Sequence, residues 1–159
     1  MSDLLPLLQE FYRDKLAELL RHQAGAKLIG QYDFNNTYQY IINREETQLS
    51  WLGSAIVELG GTVTDDSTEP TRTAGRSESN TILDQDARGA QAFVDRWRIR
   101  VEAMSNARHR GMLRVILGET LEQKRFFEQA LAGQTDLLGR RTEDVGALVG
   151  EVLPSRWIE

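Results

Sequence analysis

With 159 residues, 40% of them hydrophobic and 27% charged, the chain is about one domain long and apolar enough to bury a core without staples. It contains no cysteine, which excludes disulfides, thiolate metal sites and cysteine nucleophiles. A formal net charge of −5 with acids and bases interspersed leaves no footprint for nucleic acid, and no apolar run approaches the ~18 residues of a membrane span. The start, MSDLLPLLQEFYRDK, carries acids where a secretory signal would carry bases, so a cytoplasmic protein is expected. The arginines between Arg96 and Arg114 spread round several helix faces and read as solvated surface, not a phosphate patch.

Four segments repeat apolar residues at a period near 3.6. The first covers residues 3–23, with Asp3 as N-cap, Pro6 in the first turn and a stripe of Leu4, Leu5, Leu8, Phe11, Tyr12, Leu16 and Leu19. Ala24-Gly25-Ala26 is its expected stop. The second runs from about Asp33 or Asn35 to Leu59, with Tyr38, Ile41, Ile42, Leu49, Leu52, Ile56 and Leu59 on one face and Gly60-Gly61 as terminator. Asn35-Asn36-Thr37 matches a glycosylation acceptor but reads as an N-cap cluster.

Residues 60–82 form a connection rich in Thr, Ser and Asp, with Pro70 and Gly75 and no apolar period. A third helix, about 83–106, carries Ala90, Phe93, Val94, Trp97, Val101 and Met104. A fourth, about 109–131, carries Met112, Leu113, Ile116, Phe127, Ala130 and Leu131. SNARHRG between them reads as a tight turn ending in Gly111, with a single bent helix as the alternative. The tail, 132–159, is too apolar for a plain disordered tail and is expected to pack on the bundle or on a neighbour.

Short loops make the first two helices one antiparallel hairpin and the last two another. A connection of about 20 residues reaches ~65 Å when extended, whereas each helix is only ~35 Å long. One long crossover between two hairpins is the topology of ferritin-like bundles. The expected fold is therefore all-α, a ferritin-like four-helix bundle over 1–131.

Glu45-Glu46-Thr47-Gln48 and the Gly60-Gly61 stop strengthen that likeness. The second helix resembles the helix of the ferritin and rubrerythrin superfamily that carries Glu-x-x-His and ends in a glycine pair. The resemblance rests on this helix and on topology. It implies the bundle fold and, often in that family, a di-iron carboxylate site with a Glu from each of two helices and Glu-x-x-His from each of the others. The chain departs from that pattern at the ligands. Gln48 stands where the family has histidine, and Glu119-Thr120-Leu121-Glu122 on the fourth helix also lacks one. His22 and His109 fall beside turns and read as exposed or capping.

A rotation of ~100° per residue tests the carboxylates. Glu45 falls within ~40° of Tyr38, Leu49, Leu52 and Ile56, at the centre of the stripe. Glu119 lies on the flank of the fourth stripe and Glu122 further round. Glu10 on the first helix and Asp95 on the third point away from their stripes. Two of four helices thus supply no inward carboxylate by this count, which argues against a conventional di-iron or di-manganese centre. A bare Glu45 in an apolar core would cost several kcal/mol. Lys15, about 20° from Leu8 on the same count and opposite Glu45 by hairpin symmetry, is its predicted partner. Gln48, Glu119, Thr120 and Gln123 are the expected surrounding hydrogen-bonders. The alternative has Lys15 snorkelling to solvent and Glu45 as a water-bonded acid.

The functional expectation is an interaction or structural module with no cofactor, no nucleic-acid or membrane partner, and self-association as a homodimer. Tyr40, Trp51 and the tail's Trp157 mark a surface patch for a second subunit or for the tail. The alternative is a metal-binding or di-metal-carboxylate oxidoreductase holding iron or manganese with Glu45, Glu119 and Glu122. A third reading places an apolar ligand between the helix pairs, near Gly53 and Gly118.

Overall fold

The computed structural model describes residues 3–63, 72 and 79–134. The expected tail beyond 134 and, apart from Arg72, the middle of the crossover lie outside the described residues. Four helices follow one another, α1 (Leu4–Ala26), α2 (Tyr32–Glu58), α3 (Ser79–Glu102) and α4 (Ala107–Leu131), and no strand occurs among the described residues.

The elements are longer than periodicity suggests at their inner ends. α1 runs through Ala24-Gly25-Ala26 instead of stopping there, because all three are buried against the bundle. α3 begins at Ser79, since Ile82 and Leu83 are core residues. The α3–α4 connection, 103–106, comes earlier than expected: α3 ends at Glu102 and not near 106, and Gly111 lies inside α4. A single bent helix is excluded by Asn106, whose extended backbone (φ −78°, ψ 108°) breaks the chain and whose side chain accepts from the His109 N–H at 2.9 Å.

Between α1 and α2 the cap is Gln31, accepting from the Phe34 N–H at 2.8 Å, not the asparagine cluster. Asn35 reaches back and donates to the Ala26 and Ile29 carbonyls at 2.9 and 3.2 Å, covering the frayed end of α1. Gly60 stops α2 as expected. It takes φ +88°, its N–H donates to Val57 O, and the Gly61 N–H donates to Ile56 O, a Schellman closure. Gly133, at φ +93°, closes α4 the same way.

The helices pack in a ring, α1 on α2, α2 on α4, α4 on α3 and α3 on α1. Every neighbouring pair is antiparallel. Glu10 meets Arg100 and Gly25 meets Ile82 along α1 and α3, while Glu58 meets Arg108 and Tyr40 meets Phe126 along α2 and α4. α2 ends beside the first turns of α1, where Gln9 donates to the Thr62 carbonyl at 3.1 Å and a Cβ on Gly61 would run into Leu5. α3 begins beside the last turn of α1. α2 therefore finishes at one end of the bundle and α3 begins at the other.

Below the middle of α1 the core is apolar. Phe11 is fully buried edge-on to Phe93 (5.3 Å) and Trp97 (4.9 Å), contacts worth ~0.5–1.5 kcal/mol beyond the area they bury. Gly53 and Gly118 do not flank a common cavity: Gly118 is exposed, and a Cβ on Gly53 would touch Val63 and Tyr12.

The two kinds of glycine predict opposite mutational signs. Gly60→Ala forces a Cβ into the left-handed region and should cost about 1 kcal/mol of unfolding free energy. Gly118→Ala, with open space around it inside α4, should add roughly 0.5–1 kcal/mol. Denaturant midpoints of the two variants test both.

Candidate functional site: a buried network of ion pairs

At mid-height the apolar interior gives way to charge. Lys15 and Glu45 are each 0% exposed, and the Lys15 ammonium lies 3.4 Å from Glu45 Oε2. It donates to the Thr120 hydroxyl at 3.2 Å across the bundle diagonal and sits 4.9 Å above the Phe93 ring. Thr120 in turn donates to the Ile116 carbonyl, one turn back. One side chain of α1 thereby ties together α2, α3 and α4.

His22 completes the arrangement around Glu45. The histidine is not exposed at a helix end: it is 1% exposed, and α1 continues past it. Its Nδ1 is 2.8 Å from Glu45 Oε1, and Nε2 faces Glu18 at 3.8 Å. The ring packs on Tyr38 and Phe127. His109 is also buried, in the first turn of α4, not exposed as its place beside a turn suggested.

The charges set one another's protonation. Burial pushes the His22 imidazole down, but the charge and hydrogen bond of Glu45, with Asp86 and Glu18 behind, more than reverse that and hold it above its ordinary range. Burial raises the Glu45 carboxyl, and the His22 and Lys15 charges and hydrogen bonds bring it below the usual carboxylate range. Glu45 thus lies between the Lys15 side chain and an imidazole whose protonated form it favours.

A second buried acid was absent from the sequence reading. Asp86 of α3 is 0% exposed, accepts from Tyr38 OH at 2.5 Å, and is paired with Arg72 at 3.0 Å and Arg21 at 3.9 Å. Glu18, also buried, pairs with Arg21. The expectation that α1 and α3 supply no inward carboxylate is overturned. Glu10 and Asp95 do face water, but Glu18 and Asp86 do not. The helical count could have found them. Glu18 and His22 lie three and seven residues after Lys15, on its own stripe, and Asp86 lies four before Ala90 and seven before Phe93.

The remaining expected members divide. Gln48 is buried and donates to Glu119 Oε1 at 2.6 Å. Glu119 is half-buried in the α2–α4 seam, where Arg44 grips it with two nitrogens at 2.7 and 3.2 Å. Neither side chain joins the Lys15 contacts. Gln123 is buried with both amide atoms lacking a hydrogen bond among the described residues. Glu122 is at the surface, paired with Arg125, so the set Glu45, Glu119 and Glu122 does not converge. Among the described residues no three histidine or acidic side chains are grouped to hold a metal ion.

Each helix thus brings a carboxylate inward or into a seam, and each carboxylate meets a cation of the same chain. No family model, curated protein or solved structure matches the chain.

Two measurements probe the network. Lys15→Met should cost ~3 kcal/mol or more by leaving Glu45 buried beside a lost partner, whereas Lys15→Met with Glu45→Met should cost clearly less than the two single changes added. The pH profile carries a second signature. Because the folded imidazole binds its proton more tightly than the unfolded one, the His22 contribution is fully present below about pH 6.5 and fades as pH rises through the raised folded value. Glu45 works in the other direction, its contribution fading as pH falls from about 4.5 through its lowered folded value. Subtracting the stability–pH curve of His22→Gln from that of wild type should leave a slope falling with alkalinity above about pH 6.5; a flat difference refutes the assignment.

Proposed function

We propose that the protein is a ferritin-like bundle whose centre is neutralised by its own cations, and that it serves as a structural or interaction module, assembled as a homodimer. The observation that carries this reading is Lys15. A fully buried ammonium sits against Glu45 and Thr120 at the level where the resembled family gathers its metal ligands. A divalent cation entering there would have to displace the ammonium and the proton that the imidazole shares with the same carboxylate. The up-down-down-up order of the helices supports the ferritin-like reading, and the cysteine-free composition suits a cytoplasmic setting.

Dimerisation is supported by the α2–α4 face. Tyr40 is 45% exposed there beside Phe126, and Arg44 lies 5.7 Å from the Trp51 ring. The Arg44–Glu119 pair between these aromatics leaves the strip neutral, so two copies approach without like-charge repulsion. A two-fold pairing is the simplest closed form.

One observation favours a second reading, a metal-binding or di-metal-carboxylate oxidoreductase using Glu45 and Glu119 with iron or manganese. All four helices contribute carboxylates, through Glu18, Glu45, Asp86 and Glu119. That reading requires Lys15 to swing away and His22 to give up the proton it shares with Glu45.

Elemental analysis and light scattering separate the two. Protein produced with iron, manganese and zinc supplied should purify with far less than stoichiometric metal and the mass of two chains. Stoichiometric metal that disappears in Glu45→Ala would overturn the proposal.

A further inference from the structure

Asp86 lies at the bottom of the seam between α1 and α3, and what faces it is organised round a flat cation. Arg72 Nη1 donates to the Arg21 carbonyl at 2.9 Å and to Asp86 Oδ1 and Oδ2 at 3.0 and 3.3 Å. Its Nη2 donates to Gln85 Oε1 at 3.0 Å. The Arg72 side chain is 7% exposed and the Asp86 side chain 0%. Three acceptors of different kinds therefore surround the two terminal nitrogens of one guanidinium: a helix carbonyl with a spare lone pair, a buried carboxylate and an amide oxygen.

The backbone has been cleared for it. A Cβ on Gly25 would stand 2.7 Å from Arg72 Nη1 and 3.4 Å from its Cζ. Any side chain at 25 would push the guanidinium off the helix. The second guanidinium near Asp86 uses the same device, with Arg21 Nη2 lying 2.8 Å from where a Gly89 Cβ would be. Arg21, though, is committed to Glu18, is one-third exposed, and reaches Asp86 only at 3.9 Å. Tyr38 donates a single hydrogen bond to Oδ2. Without Arg72 the buried carboxylate would keep a distant, shared cation.

We infer that Arg21 O, Gly25, Gln85 and Asp86 form a guanidinium-recognition site in the α1–α3 seam, filled in cis by Arg72, which fastens the connection between the hairpins to both of them. The site selects a planar, forked donor. A lysine ammonium can reach the carboxylate or the carbonyl, but as a point donor it cannot also span to Gln85. The ligand class is thus a monosubstituted guanidine, and emptying the pocket of Arg72 should leave it able to take one from solution. The acid and the seam differ from those of the Lys15–Glu45 pair, and loss of Arg72 leaves that pair in place.

Chemical rescue tests it. Arg72→Ala should lower the thermal midpoint by roughly 6 °C or more, since a buried charge loses its partner. Adding methylguanidinium chloride at about 10 mM should recover about half of that loss, while methylammonium chloride or sodium chloride at equal ionic strength recovers little. The same addition should leave wild type, whose site is occupied, unshifted, and should fail in Arg72→Ala with Asp86→Asn. If Arg72→Ala does not accumulate as folded protein, the same additions are made during its refolding from denaturant, where methylguanidinium but not methylammonium should raise the yield of folded protein. The inference is overturned if the midpoint of Arg72→Ala matches wild type, if methylammonium rescues as well as methylguanidinium, or if the doubly substituted protein is rescued equally.

Discussion

Charge that enters an apolar bundle must be neutralised by whatever else is inside, and this constraint organises the protein. A lone carboxylate at 0% exposure would take up a proton or unfold its surroundings. Glu45 does neither, because Lys15 and His22 approach it from one helix while Thr120 fixes the ammonium from another. The energetic return of such a cluster is small, since desolvation offsets most of the attraction. Its structural return is register. A lysine that must meet both Glu45 and Thr120 admits one axial alignment of α1 with α2 and α4, where leucines alone would tolerate several.

The same logic governs the seams between hairpins. Within each hairpin the helices are joined by short loops, but α1 on α3 and α2 on α4 need other means. On α1–α3, Asp14 accepts from Arg96 and from the Trp97 indole, Glu10 pairs with Arg100, and Arg72 bridges Arg21 to Asp86. On α2–α4, Arg44 and Gln48 converge on Glu119. The exposed pairs contribute little each, so the buried anchors, Asp86 above all, are the costly ones to lose. Gly25 and Gly89 acquire a reason in this light: they let guanidinium groups lie against a helix backbone where any larger residue would hold them off.

Much of this was legible before any coordinates. Helical rotation alone put Lys15 and Glu45 on facing stripes, and α2 stops at Gly60-Gly61 by the closure its glycine pair suggests. Polar residues on the apolar stripes were the less legible part. Glu18, His22 and Asp86 sit on the same stripes as Leu8, Phe11 and Phe93 and are buried with them; the turn beside His22 made it read as exposed or capping, and a stripe drawn from apolar residues alone leaves Glu18 and Asp86 out. The caps went astray for a related reason. Asn35 has the chemistry of an N-cap, but the carbonyls left open at the end of α1 were its nearer partners.

Sequence by itself determined that the chain is helical, which helices share a short loop and that Glu45 on its apolar stripe needs a partner, because those follow from period, loop length and the cost of a bare charge. Only the tertiary structure decided which cation answers which acid. Arg72 belongs to no periodic segment, and nothing in its neighbours announces Asp86 as its partner. Such pairings depend on distances between elements far apart in the chain, and period along one helix carries no information about the side chains that another brings to it.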